Sequence, residues 1–408
     1  MSLARTLYGN LARARRRFDV DRLCRRLPIA RSDPSPADGV VTLAGLLRAP
    51  TGIGEGARLN AAALGRLGYA VGLLEAGRPR QDQRALAMPK VPGQTIGDRS
   101  GALIVHLNPP VMLYALADML SAIGRRRVIA HWVWEAPMMP PIWHRALQFL
   151  HEVWVPSRFV ADAVATAGAG IPVRVVPYAV SAPEDVAPME IAAGKLLFVT
   201  MFSYDSGFKR KNPIGTIAAF RRAFDDRDDV HLLVKAQGAP DKHAAALRTL
   251  AGAIGPATNV SILGRDLTGR ERNALIARAD VVVSLHRAEG FGLTLAEAML
   301  LGKPTIATNW SGNVDFMAPG ASSLIDYKLT PLVDADPAYA GLATRWADPD
   351  IDHAAAEMRR LTDPAIRAAL GAAARRSAAA YFTPDAFAAA VAPGIGPPRS
   401  RGAVSPAA

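Results

Sequence analysis

Two glutamates bracket a glycine turn in Glu289-Gly-Phe-Gly-Leu-Thr-Leu-Ala-Glu297. The apolar run Val281–Leu285 ahead of them reads as a buried strand whose end is His286. Gly290 and Gly292 loosen the turn, a helix is predicted to open near Thr294, and Gly302 with Pro304 stops it. The free N–H groups and positive dipole end of that helix would bind a phosphate, and glycine lets the backbone come close to it. Glu297 has a plainer use, because Thr294-x-x-Glu297 is the spacing of a capping box, in which the acid returns to a backbone N–H. Thr268-Gly-Arg-Glu271 repeats that spacing with no glycine turn ahead of it, so the pattern alone requires no ligand. Glu289 precedes the helix, where no capping partner awaits an acid, and is the stronger candidate for chemistry.

Three consecutive cations, Lys209, Arg210 and Lys211, precede Asn212-Pro213 and follow a strand predicted over Leu196–Met201. Beside a breaking phosphate bond they would neutralise charge growing on the leaving group, usually the largest electrostatic contribution to such chemistry. On an exposed loop they would only be solvated. Another glycine-rich turn, Pro50-Thr-Gly52-Ile-Gly54-Glu-Gly56, follows the first predicted strand and opens a helix towards Leu67, a phosphate-loop shape with Gly54 as the candidate contact. Its Gly-x-Gly-x-Gly spacing is not a dinucleotide fingerprint, and Glu75 downstream is a poor ribose partner for one. His131-Trp-Val-Trp-Glu135 ends a strand that begins at Arg127. Trp132 and Trp134 alternate as buried strand residues do, so packing competes with sugar stacking, and a histidine such as His131 is by itself more often core than catalyst.

These segments need elements to hold them. Short β-branched runs separated by helical stretches, Gly39–Leu47, Ala70–Leu74, Ala102–Leu107, Arg127–Trp132, Glu152–Val155 and Val173–Val176, predict a parallel sheet wound with helices. After a proline-rich joint at Ala182–Pro188 a second series follows: Leu196–Met201, Val230–Lys235, Val260–Leu263, Val281–Leu285 and Pro304–Thr308. The length of 408 residues also favours two domains. Two facing parallel sheets would bring their carboxyl-end loops together in one crevice.

The formal net charge of +12 leaves nucleic acid, an anionic membrane face and a phosphate-bearing ligand open as partners. No zinc-finger, homeodomain or RNP-type pattern accompanies the arginine clusters at 13–17, 22–31 and 125–127, so nucleic acid is not expected. Arg13–Arg26, interleaved with Leu11, Phe18, Val20, Leu23 and Leu27, would form a basic amphipathic helix on anionic lipid or stay a solvated tail. No secretory signal or membrane span is expected, which implies a cytoplasmic protein, with the inner membrane face as a second location. The one cysteine, Cys24, excludes an internal disulfide and any cysteine-rich metal site.

Glu289-x7-Glu297, with the Ala-Met-x-x-Gly-Lys-Pro-x-Ile-Ala that follows, resembles the motif of retaining glycosyltransferases of family GT4, which have the GT-B fold of two facing Rossmann-like domains. The order of elements agrees from about residue 40 to about 390. The resemblance implies transfer of a hexose, of mannose or glucose type, from a nucleotide sugar such as GDP-mannose or UDP-glucose to a glycan or lipid-linked saccharide in bacterial polysaccharide synthesis. It gives Glu289 the sugar hydroxyls of the donor, Glu297 the ribose, and Gly290, Phe291, Gly292, Leu293 and Thr294 the diphosphate. Lys209-Arg210-Lys211-Asn212-Pro213 looks like the family's Arg/Lys-Lys-Asn-Pro segment, with Lys211 on phosphate, although Asp205 and Ser206 stand where many relatives carry an arginine. His131 occupies the place of a histidine that donates a hydrogen bond to the sugar, Gly54 that of a glycine near the donor phosphate, and Trp134 and Glu135 would meet the acceptor.

The implied organisation is a basic segment over 1–38, an acceptor-side domain over 39–185, a nucleotide-sugar domain over 186–375, a helix crossing back over 376–392 and a tail over 393–408. Neither a cofactor nor a metal is expected. The acidic pairs Asp225-Asp226 and Asp228-Asp229 read as a solvated turn before Val230. The rivals are an epimerase of the same fold and a non-catalytic sugar-nucleotide binder.

Overall fold

The computed structural model of the chain describes residues 19–398 except 77–84, 93, 95–100, 169, 184, 185, 187, 226, 239–242, 334–336 and 340. Each apolar run of the first series forms a strand: β1 Val40–Gly45, β2 Ala70–Glu75, β3 Ala102–His106, β4 Arg127–His131, β5 Glu152–Val155 and β6 Val173–Val175. They pair in parallel in the order β2-β1-β3-β4-β5-β6, with helices α1 Gly52–Arg66, α2 Val111–Asp118, α3 Leu120–Ile123 and α4 Arg158–Ala165 between them. The second series forms β7 Leu196–Ser203, β8 Val230–Gln237, β9 Val260–Leu263, β10 Val281–Ser284, β11 Thr305–Thr308 and β12 Ser323–Ile325, parallel in the order β12-β11-β10-β7-β8-β9. Its helices are α5 Phe208–Lys211, α6 Pro213–Phe224, α7 Ala244–Ile254, α8 Gly269–Arg278 and α9 Leu293–Leu300. The whole is two Rossmann-like α/β domains, each on one parallel six-stranded sheet.

Strand order reverses between β1 and β3 in the first sheet and between β7 and β10 in the second. Loops diverge there, one to each face, and leave a crevice outside the carboxyl ends. The loops at these two points are the glycine turn after β1, the loop after β3, the cationic loop after β7 and the Glu289 turn after β10. Topology alone therefore gathers most of the residues singled out by chemistry. Asp229 pairs with Arg227 at 2.5 Å before the amino end of β8, away from this crevice.

Three features depart from the expected organisation. The crossing helix expected over 376–392 is instead the end of α11 Pro364–Tyr381 followed by α12 Pro384–Ile395, and Phe387, Val391 and Ile395 of α12 pack on the first sheet with Tyr69 and Trp154. An antiparallel hairpin, β13 Tyr327–Pro331 with β14 Arg345–Pro349, precedes helix α10 Ile351–Arg360 and reaches back to the first domain. Leu332, Tyr339 and Trp346 join Trp134 and Trp143 there in one apolar cluster. Residues 19–38 are no free tail either: Val20 and Leu27 are buried in that cluster with Leu23 and Cys24 against it, and Asp21 pairs with Arg145. The apolar face a lipid-bound helix would need is thus turned inward over these residues, while Leu11, Phe18 and the arginines at 13–17 lie outside the described residues. Among the described residues no helix is long and apolar enough to cross a membrane.

Candidate active site

Glu289 stands at the carboxyl end of β10, and its neighbours leave it little freedom. Its N–H donates to Ser311 Oγ at 2.7 Å, its carbonyl accepts from Gly312 N at 2.8 Å, and His286 before it is held by Ser284, Asn313 and the Trp310 carbonyl. Across the switch point Asn212 adopts a left-handed backbone (φ 52°) and caps α6 by accepting from Gly215 N. Its amide also donates to Leu285 O at 2.8 Å, so Lys211-Asn212-Pro213 is tied to the strand that carries Glu289. The result is a tight ion cluster. Lys211 Nζ lies 2.5 Å from Glu289 Oε1, and Arg210 Nη1 lies 3.3 Å from Oε2 and donates to Ala288 O. Burial alone would raise the Glu289 carboxyl, but the two cations outweigh it and hold the group at about 2. Burial lowers Arg210, and Glu135 and Glu289 reverse this and raise it, so both ions stay charged.

Glu297 is not a capping acid. Helix α9 starts one residue earlier than Thr294, its N-cap is Gly292 at φ 103°, and no side chain caps it. The comparison segment behaves as its pattern says, with Thr268 and Glu271 forming a full capping box. Glu297 instead accepts from Arg272 Nη2 at 2.7 Å, and the same nitrogen lies 3.6 Å from Glu55 of the first domain. Burial pushes Glu297 up to about 7, opposed by Arg272 and reinforced by Glu55.

On the facing domain, His131 ends β4 and stacks on His106 from β3, with ring centroids 4.1 Å apart, and Tyr178 stacks on His131 at 5.2 Å. His131 Nε2 lies 3.0 Å from Val176 O. A carbonyl only accepts, so Nε2 carries the proton and the buried Nδ1, which has no protein partner, is an acceptor. The ring is thus set to accept a hydrogen bond, the reverse of the donation the resemblance implied. Asn60 uses its oxygen on Ala179 N and its amide on His106 Nε2, which gives His106 the opposite tautomer. Burial lowers His131 to about 4 and His106 well below its usual range.

That depressed histidine has a consequence for stability. Between about pH 6.5 and 4 the unfolded chain binds a proton that folded His131 refuses, so stability falls as pH falls, by about 1.4 kcal/mol per unit. His131→Asn, which cannot titrate, should show a shallower loss in denaturant melts across that window. An unchanged slope would mean that His131 is not held neutral.

The remaining candidates separate clearly. Gly290 presses on the first domain, where an added Cβ would meet Val133 at 2.4 Å, and Ser157 Oγ donates to its carbonyl at 2.7 Å. Phe291 packs on Tyr178 at 5.1 Å, and Leu293 and Thr294 form the first turn of α9. Gly54 gives its N–H to Thr51 Oγ1, and a Cβ there would lie 2.5 Å from the Leu46 and Ala49 carbonyls, so the turn itself demands glycine. Lys209 is exposed and reaches Val333 O at 3.4 Å, leaving Arg210 and Lys211 as the cations at Glu289. Trp134, expected at the acceptor, is buried; it donates to Met138 O and packs on Trp143 and Tyr339. Glu135 does face the crevice, 3.6 Å from Arg210. Asn60, His106, Tyr178, Arg272 and Ser311 were missed, since each acts through a contact distant in sequence.

Residues 194–338 match the family model described as glycosyl transferases group 1. No curated protein matches the sequence. Among solved structures, HepE of Anabaena, in complex with UDP and glucose, superposes with a TM-score of 0.62 over 87% of this chain and 98% of its own, at 16% identity. Sucrose-phosphate synthase from Thermosynechococcus elongatus gives 0.60 over 85% and 96%, at 15% identity. A glycosyltransferase from Rickettsia africae gives 0.57 over 85% and 95%, at 12% identity. At such identities the likeness is one of fold, and it makes this chain a two-domain GT-B protein in which the segment matching the glycosyl transferases group 1 model lies within the second domain.

Proposed function

We propose that the chain is a retaining, GT4-like glycosyltransferase that moves a hexose from a nucleotide sugar to a saccharide or lipid-linked saccharide in bacterial polysaccharide synthesis. The observation that carries the reading is Glu289, ionised and buried between Lys211 and Arg210 at the start of a glycine turn on the switch point of the second sheet. A diphosphate entering there meets both cations and the amino end of α9, while Glu289 accepts from sugar hydroxyls and His131 Nδ1 accepts from another hydroxyl. The anomeric C–O bond breaks with its electron pair leaving on the β-phosphate, whose growing charge Lys211 and Arg210 stabilise. The acceptor hydroxyl bonds to the anomeric carbon on the same face, and its proton passes to the departing phosphate oxygen. Arg210 takes the place of the arginine absent at Asp205 and Ser206. HepE is described in complex with UDP and with UDP-glucose, which makes UDP-glucose the first donor to test, with GDP-mannose second.

The purified chain should release UDP from UDP-glucose, or GDP from GDP-mannose, faster when a saccharide acceptor is added. Excess EDTA should leave that rate within about twofold, because side-chain cations do the work a metal would do. No release from either donor overturns the reading, conversion of the donor to an epimer without acceptor favours the epimerase, and loss of rate restored by magnesium overturns the metal-free mechanism.

A further inference from the structure

Residues 19–31 lie against the first domain with one side inward, where Val20 and Leu27 are buried with Leu116 of α2 and Ile123 of α3. Their other side is open. Arg22, Arg25 and Arg26 are exposed there, and among the described residues no acid pairs with any of them. Ile29, 67% exposed, follows them on the rim of a groove of about 240 Å³ lined by Leu27, Leu116, Ile123 and Phe149. Leu120, 44% exposed, belongs to the turn of α3 that forms the far wall. The polar groups of the groove are already used, Arg126 on Thr42 Oγ1 and Ala102 O, and His151 on Val128 N and Arg31 O. What remains open to a visitor is apolar. Around it Arg31 and Arg125 share Asp33, and Arg145 holds Asp21; with Asp19 and Asp118 included, the six arginines of this side exceed its four acids by two. Residues 1–18, which precede Asp19 in the chain, hold five more arginines and no acid. The outer side of α2 extends the apolar rim towards the crevice, since Val111 and Tyr114, one turn apart, are both exposed and α2 opens at the loop after β3.

We propose that this side of the first domain is a docking surface for an anionic phospholipid bilayer: Arg22, Arg25 and Arg26 meet lipid phosphates, and Ile29 and Leu120 enter the apolar boundary beneath them. Unpaired guanidinium groups beside exposed aliphatic side chains match such an interface in both charge and polarity. A nucleic acid would engage the arginines and leave Ile29 and Leu120 in water. A second copy of this chain would set arginine against arginine. The surface lies outside the crevice, so the inference stands whether or not the transferase reading does.

The test is co-sedimentation of the full chain with vesicles of phosphatidylcholine alone and of phosphatidylcholine mixed with phosphatidylglycerol. Three variants accompany the wild type: Ile29→Ser with Leu120→Ser; Arg22→Gln, Arg25→Gln and Arg26→Gln together; and Arg13→Gln, Arg15→Gln, Arg16→Gln and Arg17→Gln together. Melting curves establish that each is folded, and alanine replaces serine at 29 and 120 if the serine variant is not. The wild-type chain should bind the anionic vesicles only. An arginine near an anionic surface is worth about fivefold in partitioning, so the variant at 22, 25 and 26 should lose about 10- to 100-fold. The variant at 29 and 120 should lose about tenfold with its charge unchanged. Absence of wild-type binding to anionic vesicles overturns the inference. So does wild-type binding by the variant at 29 and 120 with the loss confined to the variant at 13–17, which would make the attachment one of charge in the preceding segment alone. A dimer in analytical ultracentrifugation that Ile29→Ser with Leu120→Ser dissociates gives the face to a second copy and overturns it too.

Discussion

Lys211→Ala is expected to lower donor turnover by about 10²–10³-fold with the fold intact. Two consequences of the geometry add up to that figure. The first is loss of the cation that meets the leaving phosphate, a charge-assisted contact that strengthens as the bond breaks. The second is release of Glu289: with Lys211 gone, its carboxylate keeps only Arg210 at 3.3 Å and is free to turn from the position that faces the sugar. Affinity for the free nucleoside diphosphate should fall too, because that ligand carries the charge Lys211 would meet. Steady-state turnover, calorimetry and a melting curve separate these effects. Near-normal turnover with a normal melt would remove Lys211 from the site.

Glu289→Gln divides binding from turnover in the opposite sense. The amide keeps the shape of the side chain but leaves Lys211 and Arg210 without their shared anion. Free diphosphate should therefore bind at least as tightly as before, while turnover falls by about 10²-fold or more, since the sugar loses its charged acceptor. The two variants move nucleotide affinity apart, a pattern that general loosening of the crevice would not produce. A matched fall in affinity and turnover in Glu289→Gln would place the carboxylate on the phosphate side instead. The pH profile offers a check: Glu289 is held at about 2, so its ionisation contributes no limb between pH 5 and 8, and its stabilising effect is lost progressively as pH falls from about 4.5 to about 2.

How far the sequence discloses this arrangement depends on whether a feature is local. The strands are legible because parallel strands buried on both faces read as continuous apolar runs. Both loops at the second switch point are legible because strand, turn and helix follow in order, and the meeting of Lys211 with Glu289 follows from topology once the strand order is known. The capping reading of Thr294 and Glu297 failed for a local reason, since Gly292 in the left-handed region starts α9 early and leaves Thr294 inside the helix. Trp134 was ambiguous because alternation on a strand marks a buried face without saying what covers it, and the cover is Tyr339 from the other domain. Arg272 with Glu55 and His106 with His131 carry no spacing signal, because their partners lie on other elements. In the basic segment an apolar stripe on a helix fits lipid and protein equally well, and over the described part of it Val20 and Leu27 pack on protein.

The hairpin β13–β14 and helix α12 meet the first sheet on opposite faces. The hairpin joins the cluster with Leu103, Val105, Val128 and Ala130, whereas α12 joins the one with Ile104 and Ile129, the residues between. The second half of the chain therefore grips that sheet as a clamp grips a board. A clamped board does not swing open like a jaw on one pin. Opening of the crevice should accordingly leave both pads seated and part the apolar contact between them, where Tyr178 packs on Phe291.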